Sequence, residues 1–286
     1  MASVLDLPDF MFQNNNKSYG KFSKILITVF GLFIGYLHKS LHGKLFCFAM
    51  NLFFKTDGKI YFKQNLYNKK LSNNLEFSYP TKRIDRVIVD HESHFEKLFN
   101  SYCLNYIQFN PNDTVIDCGA NVGELFVSFD LKNIDINYIG FEPDPYVFSV
   151  LKKNLKDYDV LIQDIALSDS NIQMPLYLNT EGADSSLIYF GTDEKVTVDS
   201  KTIDSFNFKN VKLLKIEAEG GEIEVLKGSK KSLKNIEFIA VDYGPERGES
   251  KENTSVEIIN FLYKNQFTLV HVSKYREIGL FKNLNI

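Results

Sequence analysis

The sequence predicts an α/β fold, a mostly parallel sheet with flanking helices, preceded by an N-terminal helical apolar segment. Three observations carry this. From residue 111 onward, short apolar runs alternate with stretches of helical spacing, the pattern of a parallel sheet. Glycine-containing turns stand where apolar runs end and helices begin. The N-terminal fifth reads differently, as two apolar runs bordered by basic residues.

The first apolar run, residues 25–37 (ILITVFGLFIGYL), lies between Lys24 and His38, and the second, residues 45–54, is closed by Lys55. A spanning helix needs about 20 apolar residues, and neither run reaches that. Asp6 and Asp9 precede the first run and no small-residue cleavage site follows it, unlike a signal peptide. The GxxxG spacing of Gly31 and Gly35 matters only for a membrane helix. The expectation is a pair of helices that are buried, partner-facing or laid in a membrane interface with basic residues at the headgroups.

Residues 58–88 read as a β-rich connector (KIYFKQNLY, LEFSYP, RVIVD), and residues 93–106 have helical spacing through Phe95, Leu98, Phe99 and Tyr102. Strands follow at 114–118, 138–142, 160–163, 211–217 and 236–242, with a hairpin-rich insertion near 170–205. Helices are expected over 124–130, from Pro145 with Asp144 as N-cap, over 222–226 with Gly228 as its end, and over 256–263. Residues 267–272 and 278–281 form a closing pair of strands. The expected divisions are 1–57, the apolar helical segment; 58–110, the connector and lead-in helix; and 111–286, the ligand-binding domain.

Composition fits this reading. The chain has 286 residues, 44% hydrophobic and 24% charged, which excludes disorder over its length. Its formal net charge of −3 gives no sign of nucleic-acid binding. Cys47, Cys103 and Cys118 form neither a disulfide framework nor a CxxC site, and fit a reducing, cytoplasmic compartment.

Chemistry concentrates at the strand ends. Asp117-Cys-Gly119-Ala-Asn121-Val-Gly123 falls at the first strand-to-helix turn. Gly119 permits a tight turn and close ligand approach, and Gly123 permits close helix–strand packing. The spacing D-x-G-x-N-x-G is not the G-x-G-x-x-G of a dinucleotide fold, so a dinucleotide oxidoreductase is disfavoured. An acidic strand end repels phosphate and suits a cationic or zwitterionic ligand such as S-adenosylmethionine; a plain glycine turn is the alternative. Glu142 ends the second strand, where a carboxylate can accept both ribose hydroxyls, or can simply be solvated. Asp164 ends the third strand, where it can accept from an adenine amino group or cap a turn.

Leu213-Leu-Lys-Ile-Glu217-Ala-Glu219-Gly220-Gly221-Glu222 clusters three carboxylates after the fourth strand. Such a cluster can raise one carboxyl's pKa and supply a general base. Glu222 also suits the dipole of the following helix. No His or Asp spacing supports a metal site. Asp242-Tyr243-Gly-Pro-Glu246-Arg247 makes a sharp loop over the same edge, placing Asp242, Tyr243 and Arg247 to meet an acceptor, or forming a turn with a surface Glu–Arg pair.

Four strings, VIDCGANVGE (115–124), FEPDP (141–145), LLKIEAEGGEIEVLKG (213–228) and VDYGPERG (241–248), resemble the FkbM-type methyltransferases over roughly 110–275. The resemblance implies a class I, Rossmann-like fold, S-adenosylmethionine as cofactor, and O-methylation of hydroxyls on sugars, polysaccharides or macrolide natural products. It implies cofactor contacts at Asp117, Gly119, Asn121, Glu142 and Asp164. The chain departs from the family at Glu217, usually Asp, and at Gly221, often apolar. Glu219 or Asp242 is the expected base, with Glu217 also a candidate, and Glu222, Tyr243 and Arg247 are expected to bind substrate. A membrane bearing lipid-linked glycan, or a glycosyltransferase, would be met through residues 22–54. A non-catalytic nucleotide-binding module of the same fold is the rival reading.

Overall fold

The structure is a computed structural model that describes residues 21–54, 56–179 and 185–286, giving the backbone alone for 21–27. Asp6, Asp9, Lys55 and part of the hairpin-rich insertion lie outside the described residues, as do the side chains of residues 22–27 in the expected partner-facing segment. The chain divides into two units, Met1–His94 and Phe95–Ile286.

In the first unit, α1 (Lys21–Ser40) and α2 (Gly43–Phe53) precede an antiparallel meander of β1 (Ile60–Lys63), β2 (Leu66–Lys70) and β3 (Glu76–Tyr79). Gln64 and Asn65 both have positive φ, 53° and 62°, as a two-residue hairpin turn with strand-matched twist requires. The apolar helices and the meander belong to one unit rather than dividing at residue 57. The Asn51 side chain explains this, because its Nδ2 donates to the Ile60 carbonyl (2.7 Å) and its Oδ1 accepts from the Ile60 N–H (3.0 Å).

The RVIVD string is not a strand. A 3-10 helix, Lys82–Val87, occupies its first part, with the Thr81 side chain accepting from Arg83 N–H. The carbonyls of Val87 and Ile88 accept from the fully buried Lys69 ammonium, so they are satisfied without a ladder. Lys69 also pairs with Asp57, which bonds His91 Nδ1, while His91 Nε2 accepts the Ser72 N–H at 3.0 Å. Burial alone would raise the Asp57 pKa, but the His91 and Lys69 bonds override it and hold it at about 2. This network uses both ring nitrogens of His91 to join the β2–β3 turn to the start of α3 (His91–Ser101).

The second unit contains β4 (Asp113–Cys118), α4 (Glu124–Leu131), β5 (Ile136–Phe141), α5 (Pro145–Asn154), β6 (Leu161–Gln163), β7 (Ala166–Leu167), β8 (Gln173–Tyr177) and β9 (Lys195–Lys201). Then come β10 (Val211–Ile216), α6 (Glu222–Lys227), β11 (Ile236–Asp242), β12 (Pro245–Arg247), β13 (Glu252–Asn253), α7 (Ser255–Lys264), β14 (Phe267–Val272) and β15 (Ile278–Asn283). Asp144 caps α5, accepting from the N–H groups of Tyr146 (2.9 Å) and Val147 (3.2 Å). The lead-in residues 95–110 belong here because Phe99 and Phe109 pack edge-on against Phe129 of α4.

Seven strands form one sheet in the order β14-β15-β11-β10-β4-β5-β6. The five strands from β11 to β6 are parallel, and β15 runs antiparallel to both of its neighbours. The strand order reverses between β4 and β10, the switch point where an open α/β sheet leaves a crevice at its carboxyl ends. The registers Asp117↔Gly140, Lys215↔Asp117 and Lys215↔Ala240 align those ends. Because Asp242 pairs with Ile278, the β14–β15 turn also lies at this edge. Ile116, Leu214, Ile216, Ile239 and Val241, all buried, form the core beneath it.

Candidate functional site

The turn after β4 is internally complete. The N–H groups of Gly119 and Ala120 both donate to the Phe141 carbonyl (3.0 and 2.9 Å). Asn121 N–H donates to Glu142 Oε2 (2.8 Å), Val122 N–H to Asn121 Oδ1 (2.8 Å) and Gly123 N–H to the Ala120 carbonyl (2.9 Å). None of these five amides is left for a phosphate, and the helix beyond opens on a buried carboxylate, Glu124. The turn therefore does not suit a pyrophosphate.

Gly119 owes its identity to the protein itself. Its φ is +77°, and a Cβ there would stand 2.1 Å from the Glu217 carbonyl oxygen. The turns after β4 and β10 are thus pressed together at the switch point. Gly123, at φ +94°, faces Leu151 of α5 and Leu155 just past its end, so the close packing it allows is between helices and not between helix and strand.

Glu142 is buried just past β5. Its Oε1 accepts from Asp144 N–H (3.0 Å) and its Oε2 from Asn121 N–H, leaving each oxygen a further lone pair. Burial, partly offset by these amides, raises its pKa to about 7. Asp164 stands exposed just past β6. Asp117, Glu142 and Asp164 thus end three adjacent strands with acceptors. Ribose hydroxyl and amino donors match Glu142 and Asp164, and these residues fit S-adenosylmethionine.

Asp117 is wholly buried. Its Oδ2 accepts from Tyr138 OH (2.6 Å), and its Oδ1 forms an ion pair with Lys215 Nζ (2.9 Å) without a well-aligned hydrogen bond. Lys215, also buried, donates to the carbonyls of Cys118 (3.1 Å) and Gly119 (2.7 Å) and lies 3.3 Å from Glu217 Oε2. Asp117 therefore shapes the glycine turn through Lys215.

Glu217 accepts from Tyr102 OH and from Arg276, which also pairs with Asp242 Oδ2 at 2.6 Å. Burial alone would raise the Glu217 pKa, but Arg276, Lys215 and the Tyr102 bond hold it well below the usual carboxylate range. So firmly ionised a group is a poor proton acceptor. Asp242 is also engaged, with Oδ1 accepting from Gly244 N–H (3.0 Å). Burial raises its pKa, against the pull of Arg276. Tyr243 is buried beside it, its backbone N–H donating to the Glu277 carbonyl (3.0 Å).

Glu219 and Gly220 take left-handed backbone, φ +49° and +92°, and Ser186 Oγ donates to the Glu219 carbonyl (2.7 Å). A Cβ at Gly220 would meet Arg247 Cα at 2.6 Å, so β12 crosses this turn closely. Glu222 folds back beneath the turn, its Oε1 accepting from Ala218 N–H (2.8 Å) and Gly220 N–H (3.1 Å). Arg247 forks onto Glu224 (2.8 Å twice) and donates to the Gly220 carbonyl (2.6 Å). Glu222 and Arg247 brace the loops, rather than presenting their charged groups to an acceptor. The surface Glu–Arg pair is absent, since Arg247 takes Glu224 and not its neighbour Glu246.

Past β10 and β11, Glu246 is a carboxylate whose side chain accepts no hydrogen bond among the described residues. It is half-buried, and burial together with the fields of Asp242, Glu217 and Glu222 raises its pKa to about 8. Sequence reasoning passed over it, along with Lys215, Tyr102 and Arg276. A lysine inside the apolar string VKLLKI was the one available signal, because a strand buried on both faces has little reason to carry a charge. Among the described residues no group of three or more potential ligands is set to hold a metal ion.

The chain is similar to Methyltransferase sdnD of Sordaria araneosa, 25% identical over 173 residues, covering 47% of this chain and 67% of that protein. It is similar to Methyltransferase 1 of Beauveria bassiana (strain ARSEF 2860), 24% identical over 161 residues, covering 46% and 65%. The solved Methyltransferase FkbM from Methylobacillus flagellatus KT is 14% identical with a TM-score of 0.44, covering 67% of this chain and 50% of that one. The chain thus spans half the length of that solved protein. Residues 117–269 match the family described as the Methyltransferase FkbM domain. More than half of the chain lies within that match, and it therefore belongs to the FkbM methyltransferase family, with S-adenosylmethionine as its cofactor.

Proposed function

We propose that the chain is an O-methyltransferase acting on a hydroxyl of a sugar or glycan, either a polysaccharide or a lipid-linked saccharide, with Glu246 as the proton acceptor. One observation carries the reading. Several carboxylates gather past β10 and β11, and of these the Glu246 side chain accepts no hydrogen bond among the described residues. When bound, S-adenosylmethionine supplies an electrophilic methyl group on a sulfonium. Glu142 and Asp164 are the side chains that would hold it, at the turn of Gly119 and Asn121, with Asp117 shaping that turn through Lys215 and Gly123 packing it from behind. The paired charges of Glu217, Arg276 and Asp242 are fixed before an acceptor arrives, so alignment costs little reorganisation. Glu246, as carboxylate, takes the hydroxyl proton at an Oε atom, and its raised pKa suits that task near neutral pH. Asp242 and Glu219 are the nearest alternatives for the same step, and Tyr243 flanks it.

The test is methyl transfer from radiolabelled S-adenosylmethionine to a panel of nucleotide sugars, glycans and non-sugar hydroxyl compounds. Glu246→Gln should lower kcat about 100-fold or more while leaving S-adenosylhomocysteine affinity unchanged. Full turnover by this variant removes Glu246 from the step, and parallel Asp242→Asn and Glu219→Gln variants show where it moves. Methylation confined to non-sugar compounds replaces the sugar reading.

A further inference from the structure

The first unit carries a surface the methyl-transfer chemistry does not use. On α2, Leu45, Phe48 and Leu52 are 67%, 69% and 66% exposed, although the opposite face of the helix is buried through Phe46, Cys47 and Met50. Positions i, i+3 and i+7 form one stripe, so the outward stripe of α2 is itself apolar. On α1, Phe33 and Tyr36 are also exposed, at 46% and 67%. The two helices join there, since Phe33 meets the Phe53 ring edge-on at 5.6 Å. Scattered exposed apolar residues need no explanation, but a contiguous apolar patch across two helices does.

Charge indicates the occupant. Residues 21–54 contain four lysines, Lys21, Lys24, Lys39 and Lys44, with His38 and His42, and no Asp or Glu. The whole chain is −3, so the residues outside this segment carry −7. A lysine-rich segment without carboxylates of its own, carrying an apolar face on an otherwise acidic chain, complements an anionic lipid surface, where apolar side chains enter the acyl boundary and lysines meet headgroup phosphates. No described helix is long and apolar enough to cross a membrane, so the helices would lie on the bilayer. We propose that the exposed apolar face of α1 and α2, in this lysine-rich segment, docks this protein on an anionic membrane surface.

The experiment is flotation of the full chain with vesicles of phosphatidylcholine alone or with about 30% phosphatidylserine, at low salt and at about 0.5 M salt. The expected result is binding to the anionic vesicles that falls about tenfold or more without phosphatidylserine or at high salt. Leu45→Ser/Phe48→Ser/Leu52→Ser should abolish binding, with an unchanged thermal melt showing that these exposed positions leave the fold intact. A wild-type chain that stays unbound with anionic vesicles overturns the proposal, as does a folded triple variant that binds equally well. A wild-type dimer that the triple substitution dissociates, without lipid binding, assigns the face to a second copy instead. Flotation needs no acceptor and no turnover, so its outcome is independent of the methyl-transfer reading.

Discussion

S-adenosylhomocysteine should bind more weakly as pH falls from about 8 to about 6, and Glu142 should be the cause. Its carboxylate is buried past β5, and burial, against the amides of Asp144 and Asn121, takes its pKa from 4.5 to about 7. Ribose hydroxyls donating to the ionised form pull that pKa back toward its ordinary value. The free protein then holds the proton more tightly than the complex, so acid competes with ligand. One unit below a pKa of about 7, only about a tenth of the free protein has Glu142 ionised, and Kd rises about tenfold. Above about pH 8 the dependence flattens. The same shift affects stability. A raised carboxyl pKa works against the unliganded fold above about pH 7, by up to about 3 kcal/mol, and the penalty shrinks to nothing as pH falls from about 7 to 4.5. Calorimetric titration in two buffers of different ionisation enthalpy reads both Kd and the released proton. Glu142→Gln should bind more weakly, by about 1.5–3 kcal/mol, with no dependence on pH. A flat wild-type profile would refute the ribose assignment. A Glu142→Gln profile that still weakens in acid would assign the titration to Glu222 or Glu246.

Two further outcomes test the frame of the site. Lys215→Met leaves Asp117 buried without its cation, and should lower unfolding free energy in urea by about 3–5 kcal/mol; adding Asp117→Asn should recover part of that. A Lys215→Met loss under about 1 kcal/mol would mean that the pair contributes little to the fold. Gly119→Ala drives a Cβ into the Glu217 carbonyl at positive φ. It should lower stability by about 2 kcal/mol or more and abolish S-adenosylhomocysteine binding, read by thermal melt and titration.

The alternation that predicted a parallel sheet was legible because each strand and helix carries its own period and punctuation. Asp144 before Pro145 announced α5, and the glycine turn announced the end of β4. RVIVD misled because a short apolar run has no period that separates strand from buried turn, and only Lys69, supplied by β2, decided it. At the site, the acidic residues were visible but their allocation was not. Glu217, Glu222 and Arg247 looked equally free in sequence, yet their partners come from 2 to 115 positions away, as Gly220 for Glu222 and Tyr102 for Glu217 show. Arg276 sits in a string with no motif, and only the antiparallel return of β15 brings it to the carboxyl edge.

That return sets an order of assembly. Glu217 and Asp242 are made well before Arg276, because synthesis runs from the N-terminus. A nascent chain that has emerged only as far as α7 already contains both carboxylates and lacks their shared cation. The crevice is therefore electrostatically unbalanced until the final hairpin docks beside β11. A truncated translation product ending before that hairpin would carry the cofactor turn and the family's strings intact, yet mismatched charge at the place where chemistry occurs. Quality control acting on such fragments would meet an open sheet edge on β11, and two carboxylates without their arginine.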